Sequence, residues 1–335
     1  MSLFRAETRR LAKRRFIRLF ALGTLLVLAA IVTGMFLSHH QPSPALLARA
    51  QVEADQGYEI ALRQAARETA NCRAAQGTAA ARDYPPCDQI YQPARADFRA
   101  GWNLPPAFDF RAEFGFLVTT LAALLAVMAY VIGATCVGAE WSSGGMMNLL
   151  LWRPRRLEVL GTKLAALLAG LAAFTVVVSA LWTALFALTA QLRGTLAGMT
   201  AGAWQSVVLM ELRGLVLVLV AGAIGFGLAS LGRHTATALG AAIGAIIVLQ
   251  FGLANVLSMA KAPYVEAYLA PVWVQAWLDK SAVATDWESC DYSSTQGCAA
   301  TTITLTWPMA GGVLAVVTLL VVGAAMWTMC SRDIT

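Results

Sequence analysis

The chain has 335 residues, of which 58% are hydrophobic and only 13% charged, and it carries a formal net charge of +6. Soluble domains hold roughly a quarter charged residues, so a water-soluble domain is excluded and an integral membrane protein is indicated. No nucleic-acid partner is expected, because the positive charge is gathered next to apolar runs, where membrane lipids are its natural counterpart.

Residues 1–18 come first. Phe4, Leu11 and Ala12 share one face at helical spacing, with Arg5, Arg9, Lys13 and Arg14 mostly opposite. This pattern predicts a basic amphipathic helix over 2–18 that lies in the membrane interface. Six apolar runs follow, at 19–37, 114–137, 164–190, 214–231, 236–257 and 309–330. Each can cross about 30 Å of hydrocarbon at about 1.5 Å per residue. None alternates like a strand, and each must satisfy its backbone internally, so the expected fold is all-α with six transmembrane helices in a single membrane domain over 1–335. The first run is too long for a cleaved signal peptide and lacks a small-residue cleavage site.

Orientation follows from charge. Arg5, Arg9, Arg10, Lys13, Arg14, Arg15 and Arg18 precede the first run, opposed there only by Glu7, and the loop 138–163 adds Arg153, Arg155, Arg156 and Lys163. The positive-inside rule places the N-terminus in the cytosol, and six crossings return the C-terminus to it.

The first extracytoplasmic region, 38–113, opens with Ser43-Pro44, a cap and a first-turn proline. A long helix over 45–75 is expected, with a break near Gly57; the prolines at 85, 86, 93, 105 and 106 make the remainder irregular. The second region, 258–308, is expected to hold short interfacial helices around 264–280 and then a disulfide-closed loop. Cys72 and Cys87 fall in the first region, Cys290 and Cys298 in the second. On the oxidising side four cysteines allow three pairings, and proximity favours Cys72–Cys87 and Cys290–Cys298.

Between the second and third runs stands GAEWSSGGMMNLLLWRPRRLEVLGTK, residues 138–163. Glu140 ends one span, a short piece from Gly145 to Trp152 carries Met147, Leu149 and Leu150, and Pro154 stops it. Arg155, Arg156 and Lys163 lead into the next span. Glu140 and Arg156 bracket the segment and are expected to pair across it. In the third run Thr175, Ser179 and Thr183 form a hydroxyl stripe suited to close packing. Gly222, Gly225 and Gly227, and the pair Gly240 and Gly244, read as close-approach surfaces. Glu211 and Arg213 are two residues apart and do not face each other on a helix; Glu211 is a candidate for attracting a cationic substrate at the outer mouth.

Catalytic and metal motifs are missing from the sequence. There is no GxxxxGK[ST], GxSxG or HExxH, and His39-His40 diverge by about 100° on a helix. No metal site is expected.

The order Glu, Gly-Gly, Leu-Leu, Pro, Arg-Arg, Lys in 138–163, with six spans and an N-terminal basic helix, resembles the permease subunits of type-2 ATP-binding-cassette (ABC) exporters. The resemblance implies that 1–18 is their elbow helix and 138–163 their coupling loop. It also implies a second permease copy or homologue, and a separate ABC ATP-binding subunit that holds ATP and Mg. Tyr130, Phe251 and Asn255, with Glu211, would then lie near the translocation path, and a path without buried charge implies apolar or amphipathic cargo such as a drug, lipid or natural product. The chain itself would not be an enzyme. High alanine, arginine and tryptophan content points to a bacterial plasma membrane. Two other readings stay open: a membrane sensor or scaffold without transport activity, and an intramembrane enzyme, which would need a polar cluster that the six runs do not show.

Overall fold

A computed structural model describes residues 3–78, 85–152, 155–286, 289 and 300–331. Among the described residues six helices are long and apolar enough to cross a membrane: α2 (Arg15–Ser38), α4 (Phe110–Ser142), α6 (Arg156–Arg193), α7 (Ala201–Gly232), the segment Thr235–Met259, and α11 (Trp307–Ser331). The short helix α1 (Leu3–Lys13) precedes them; α3 (Pro44–Ala75) and α5 (Gly145–Trp152) lie between them. With 33 and 38 residues, α4 and α6 reach roughly 50–57 Å at about 1.5 Å per residue, so both outrun the hydrocarbon layer. The apolar runs of the sequence are only their central parts.

Contacts divide the chain into two compact units: residues 1–32, 111–187 and 197–335 in the first, and 33–110 with 188–196 in the second.

The first unit is organised around α4 and α7. Over its most apolar stretch α7 is 56% buried, against 6% for α2. Glycine makes this central packing possible. A Cβ on Gly133 of α4 would stand 2.2 Å from the Gly222 carbonyl oxygen, and one on Gly225 of α7 would stand 2.2 Å from that of Tyr130. The two backbones therefore touch where any side chain would separate them. Gly227 admits Val321 of α11 in the same way, whereas Gly240 and Gly244 meet nothing within 4 Å, so the close approach expected of that pair is not made within this chain. Phe114, Trp182 and Phe186 pack with tilted and edge-on rings, Trp182 and Phe186 having ring centroids 4.8 Å apart.

The fifth span is not one regular helix. It comprises α8 (Thr235–Ala245), a π-helical stretch Ile246–Gly252, and α9 (Leu253–Met259). Widened turns of this kind are uncommon and collect at functional sites.

The region after it departs from the all-helical expectation. A 3₁₀ turn (Val265–Tyr268) and α10 (Ala270–Asp279) match the short helices expected around 264–280. They are followed by an antiparallel hairpin, Ser281–Asp286 paired with Thr301–Thr306. The hairpin packs Ala282, Ala284 and Leu305 against Ala276 of α10. The indole of Trp277 donates to the Arg213 carbonyl at 2.8 Å, and the Arg213 guanidinium returns a bond to the Leu278 carbonyl. Arg213 thereby ties α10 to α7 instead of reaching into solvent. Cys290 and Cys298 lie outside the described residues.

In the second unit, Ser43 caps α3 by accepting from the Leu46 amide at 3.2 Å. Helix α3 runs 32 residues without a break; Gly57, where an interruption is expected, packs against the Phe98 ring. Cys72 and Cys87 form a disulfide with Cα atoms 5.8 Å apart, closing the irregular segment onto the end of α3. Arg95 binds Asp55 at 2.5 Å and covers the Tyr58 ring. Phe108–Asp109 pairs in parallel with Gly194–Thr195.

Candidate functional site

The short polar stretch of the sequence becomes a connection of small parts. Helix α4 continues past its apolar stretch to Ser142, Gly144 turns the chain with φ of +72°, and α5 begins at Gly145. Met146 is fully buried and seats α5, while Met147 and Asn148 are exposed and Leu149 is half-buried. Leu150 lies on the same helix. Pro154 is outside the described residues. Beyond it exposed Arg155, 3.6 Å from Glu158, precedes α6, which starts at half-buried Arg156, a donor to the Met329 carbonyl at 3.4 Å.

Beside this connection is a buried ion cluster. Lys163 Nζ lies 2.8 Å from Glu140 Oε2 and 2.9 Å from Glu7 Oε1. The Lys163 side chain has no solvent exposure, and those of Glu140 and Glu7 have 5% and 7%. Arg14 binds the other Glu140 oxygen and also donates to the Cys136 carbonyl at 3.0 Å. Arg10 closes the rim at 3.5 Å from Glu140. Two carboxylates thus meet three cations, and every buried charge has an opposite partner, as burial demands.

The expected Glu140–Arg156 pair is corrected by this cluster: Glu140 pairs with Lys163, Arg14 and Arg10. The reason is helical geometry. Lys163 follows Arg156 by two turns and so shares its face of α6, but it sits deeper, level with the end of α4 where Glu140 stands. Glu7, which in the sequence merely offsets a basic run, is a structural partner of α6 through Lys163. Its solitary place among seven cations is the one signal that could have marked it.

The elements joined here are α1, α4 and α6. Helix α1 breaks at Arg14, the residue whose guanidinium grips the end of α4, and α2 resumes at Arg15. The N-terminal helix is therefore bolted to the α4–α5–α6 connection through its own charges.

The residues expected along a path are dispersed. The Tyr130 hydroxyl donates to the Ala238 carbonyl, joining α4 to α8. Glu211 accepts from the Thr183 hydroxyl and is half-buried within α7. Its Thr183 partner is the end of the hydroxyl stripe, whose other members, Thr175 and Ser179, are buried. Phe251 is 64% exposed in the π-helical stretch, and the Asn255 amide donates to its carbonyl at 2.7 Å. Phe251 and Asn255 are thus one turn apart on an uncovered face, while Tyr130 and Glu211 bond to other helices.

Among the described residues no group of three or more histidine, cysteine, aspartate or glutamate side chains is placed to hold a metal. His39 instead accepts or donates locally, near the Ser38 hydroxyl and the Met35 carbonyl.

Compared with known proteins, residues 1–325 match the family described as "ABC-2 family transporter protein". No curated protein matches the chain.

Proposed function

Because the chain belongs to the ABC-2 family of transporter membrane proteins, we propose that it is the membrane-spanning subunit of an exporter, working as a dimer and driven by a separate ATP-binding subunit that docks on α5. The observation that carries this reading is the construction of the α4–α5–α6 connection. An eight-residue helix anchored by buried Met146 presents exposed Met147 and Asn148, and the two long helices that flank it are locked together at their ends by Glu140 and Lys163. A push on α5 would reach both helices at once. Closure of two ATPases could then shift paired permeases between inward- and outward-open states. ATP and Mg would sit on the partner.

The basic residues of α1 and of the α5–α6 junction support a cytosolic location for this connection. The fifth span supports a second copy as the dimer partner. Its exposed Ile243, Ile247, Val248 and Phe251 accompany Gly240 and Gly244, at which a side chain would meet nothing in this chain. Apolar or amphipathic cargo and a bacterial plasma membrane complete the reading. A sensor or scaffold role would draw on the disulfide-closed second unit.

Co-purification decides between transport and scaffold. Gently extracted wild-type protein should carry an ATP-binding subunit detectable by mass spectrometry, and Met147→Pro should lose it while inserting normally. A complex without any ATPase in the wild type would favour the scaffold.

A further inference from the structure

An apolar cavity lies between α1, α2, α4 and α6, and none of the ion-cluster residues lines it. Its volume is about 280 Å³; Ala166, Leu167 and Gly170 of α6 line it together with Ile132 of α4, Leu11 and Ala12 of α1, and Ile17 of α2. The polar lining residue, Thr8, spends its hydroxyl on the Arg5 carbonyl. A side chain added at Gly170 would meet nothing within 4 Å, so the space is real and faces α6. Apolar cavities of this size stay dry and accept hydrocarbon.

The rim is charged. Arg5, Arg9 and Ala12 recur at i, i+4 and i+7 and so form one stripe of α1, which corrects the expectation that Ala12 lies opposite these arginines. All three are exposed, and Ala12 borders the cavity. Arg10, Arg14 and Lys163 are engaged with carboxylates, but Arg5 and Arg9 have no ion pair among the described residues. Two free guanidinium groups beside an apolar cavity, on a helix at the end of membrane spans, match one ligand: a phosphate with a hydrocarbon chain.

We propose that the cavity between α1, α2, α4 and α6 binds one anionic phospholipid, an acyl chain filling the space beside Gly170 and the phosphate held by Arg5 and Arg9. The lipid would cover the apolar side of α1 while the ion cluster holds its other side. This site is independent of the proposed cargo path and does not require that the complex transports anything.

The test uses the full-length protein reconstituted in vesicles of equal phosphatidylglycerol and phosphatidylcholine, then extracted gently for native mass spectrometry. Wild type should retain one phosphatidylglycerol per chain. Gly170→Leu, which fills the cavity, should lower that occupancy at least tenfold with helix content unchanged by circular dichroism, and Gly170→Ala should fall between. Arg5→Gln with Arg9→Gln should erase the preference for phosphatidylglycerol over phosphatidylcholine. Unchanged occupancy in both Gly170 variants would overturn the cavity assignment. Equal retention of the two lipids by wild type, or retention of neither, would overturn the proposal as a whole.

Discussion

Lys163, without solvent exposure, lies 2.8 Å from Glu140 and joins the start of α6 to the end of α4. A lysine in that position has no water to fall back on, so the pair is structural before it is anything else. Removing one member of a buried pair typically costs about 3–5 kcal/mol, because the remaining charge is stranded. Lys163→Met should therefore lower thermal stability in detergent by an amount in that range and expose α1 to protease. Lys163→Met combined with Glu140→Gln should recover part of the loss, showing as a positive coupling in a double-mutant cycle. Strict additivity would mean that the two side chains do not interact in solution.

The disulfide offers a separate check on the second unit. Cys72 and Cys87 are 15 positions apart, and a loop of this length is worth roughly 3 kcal/mol by chain entropy. Cys72→Ser, Cys87→Ser and the double variant should become equally sensitive to limited proteolysis in the 44–105 region, with the membrane spans still inserted. Unequal singles would mean that each cysteine has another partner.

Titration probes the same unit. The Tyr91 hydroxyl donates to Asp97; that bond raises the Tyr91 pKa above the ordinary tyrosine value and, with the Ala94 amide, lowers that of Asp97. For a carboxylate with a depressed folded value, the stabilisation is present above its unfolded value and is lost as pH falls through the folded one. Both groups reach solvent, so the effect on folding is small, and the more exposed tyrosine is the better reporter. Asp97→Ala should lower the ultraviolet ionisation midpoint of Tyr91, read as a difference from a Tyr91→Phe control. An unchanged midpoint would show that the bond is not held.

Two glycine positions separate folding from assembly. Gly225→Leu would drive a side chain into the Tyr130 backbone, where even a Cβ stands at 2.2 Å, and should prevent stable folding. Gly244→Leu meets open space within the chain and should leave the protomer folded while weakening dimerisation, read by mass photometry in detergent. A Gly244→Leu dimer as stable as wild type would remove the fifth span from the interface.

These contrasts show what the sequence could disclose. Six spans were legible because long apolar runs admit only helices in lipid, and Ser43-Pro44 announced α3 by its cap. The hairpin was hidden: Thr301–Thr306 is β-branched at every position except Leu305, but the tryptophans and prolines before it suggested interfacial helices. The π-helical stretch has no sequence mark, since Ile246–Gly252 suits a regular helix equally well. In the candidate site, the short helix α5 with Gly145 and Met147 could be read directly from composition and punctuation. The ion partners could not. Glu7 and Lys163 are far apart along the chain, and only the packing of α1 on α4 and α6 decides that Lys163 meets both Glu7 and Glu140, and that Glu140 does not pair with Arg156.

The central claim is that α5 is where an ATP-binding subunit docks. A photo-crosslinking amino acid placed at Met147, the exposed residue beside buried Met146, tests it most directly in membranes of cells expressing the whole complex. The account predicts an adduct between residue 147 and an ATP-binding subunit, with no such adduct from the same probe at Val52 of α3. A full-length chain carrying the probe at 147 that captures lipid or its own neighbours, but no ATP-binding subunit, would contradict it.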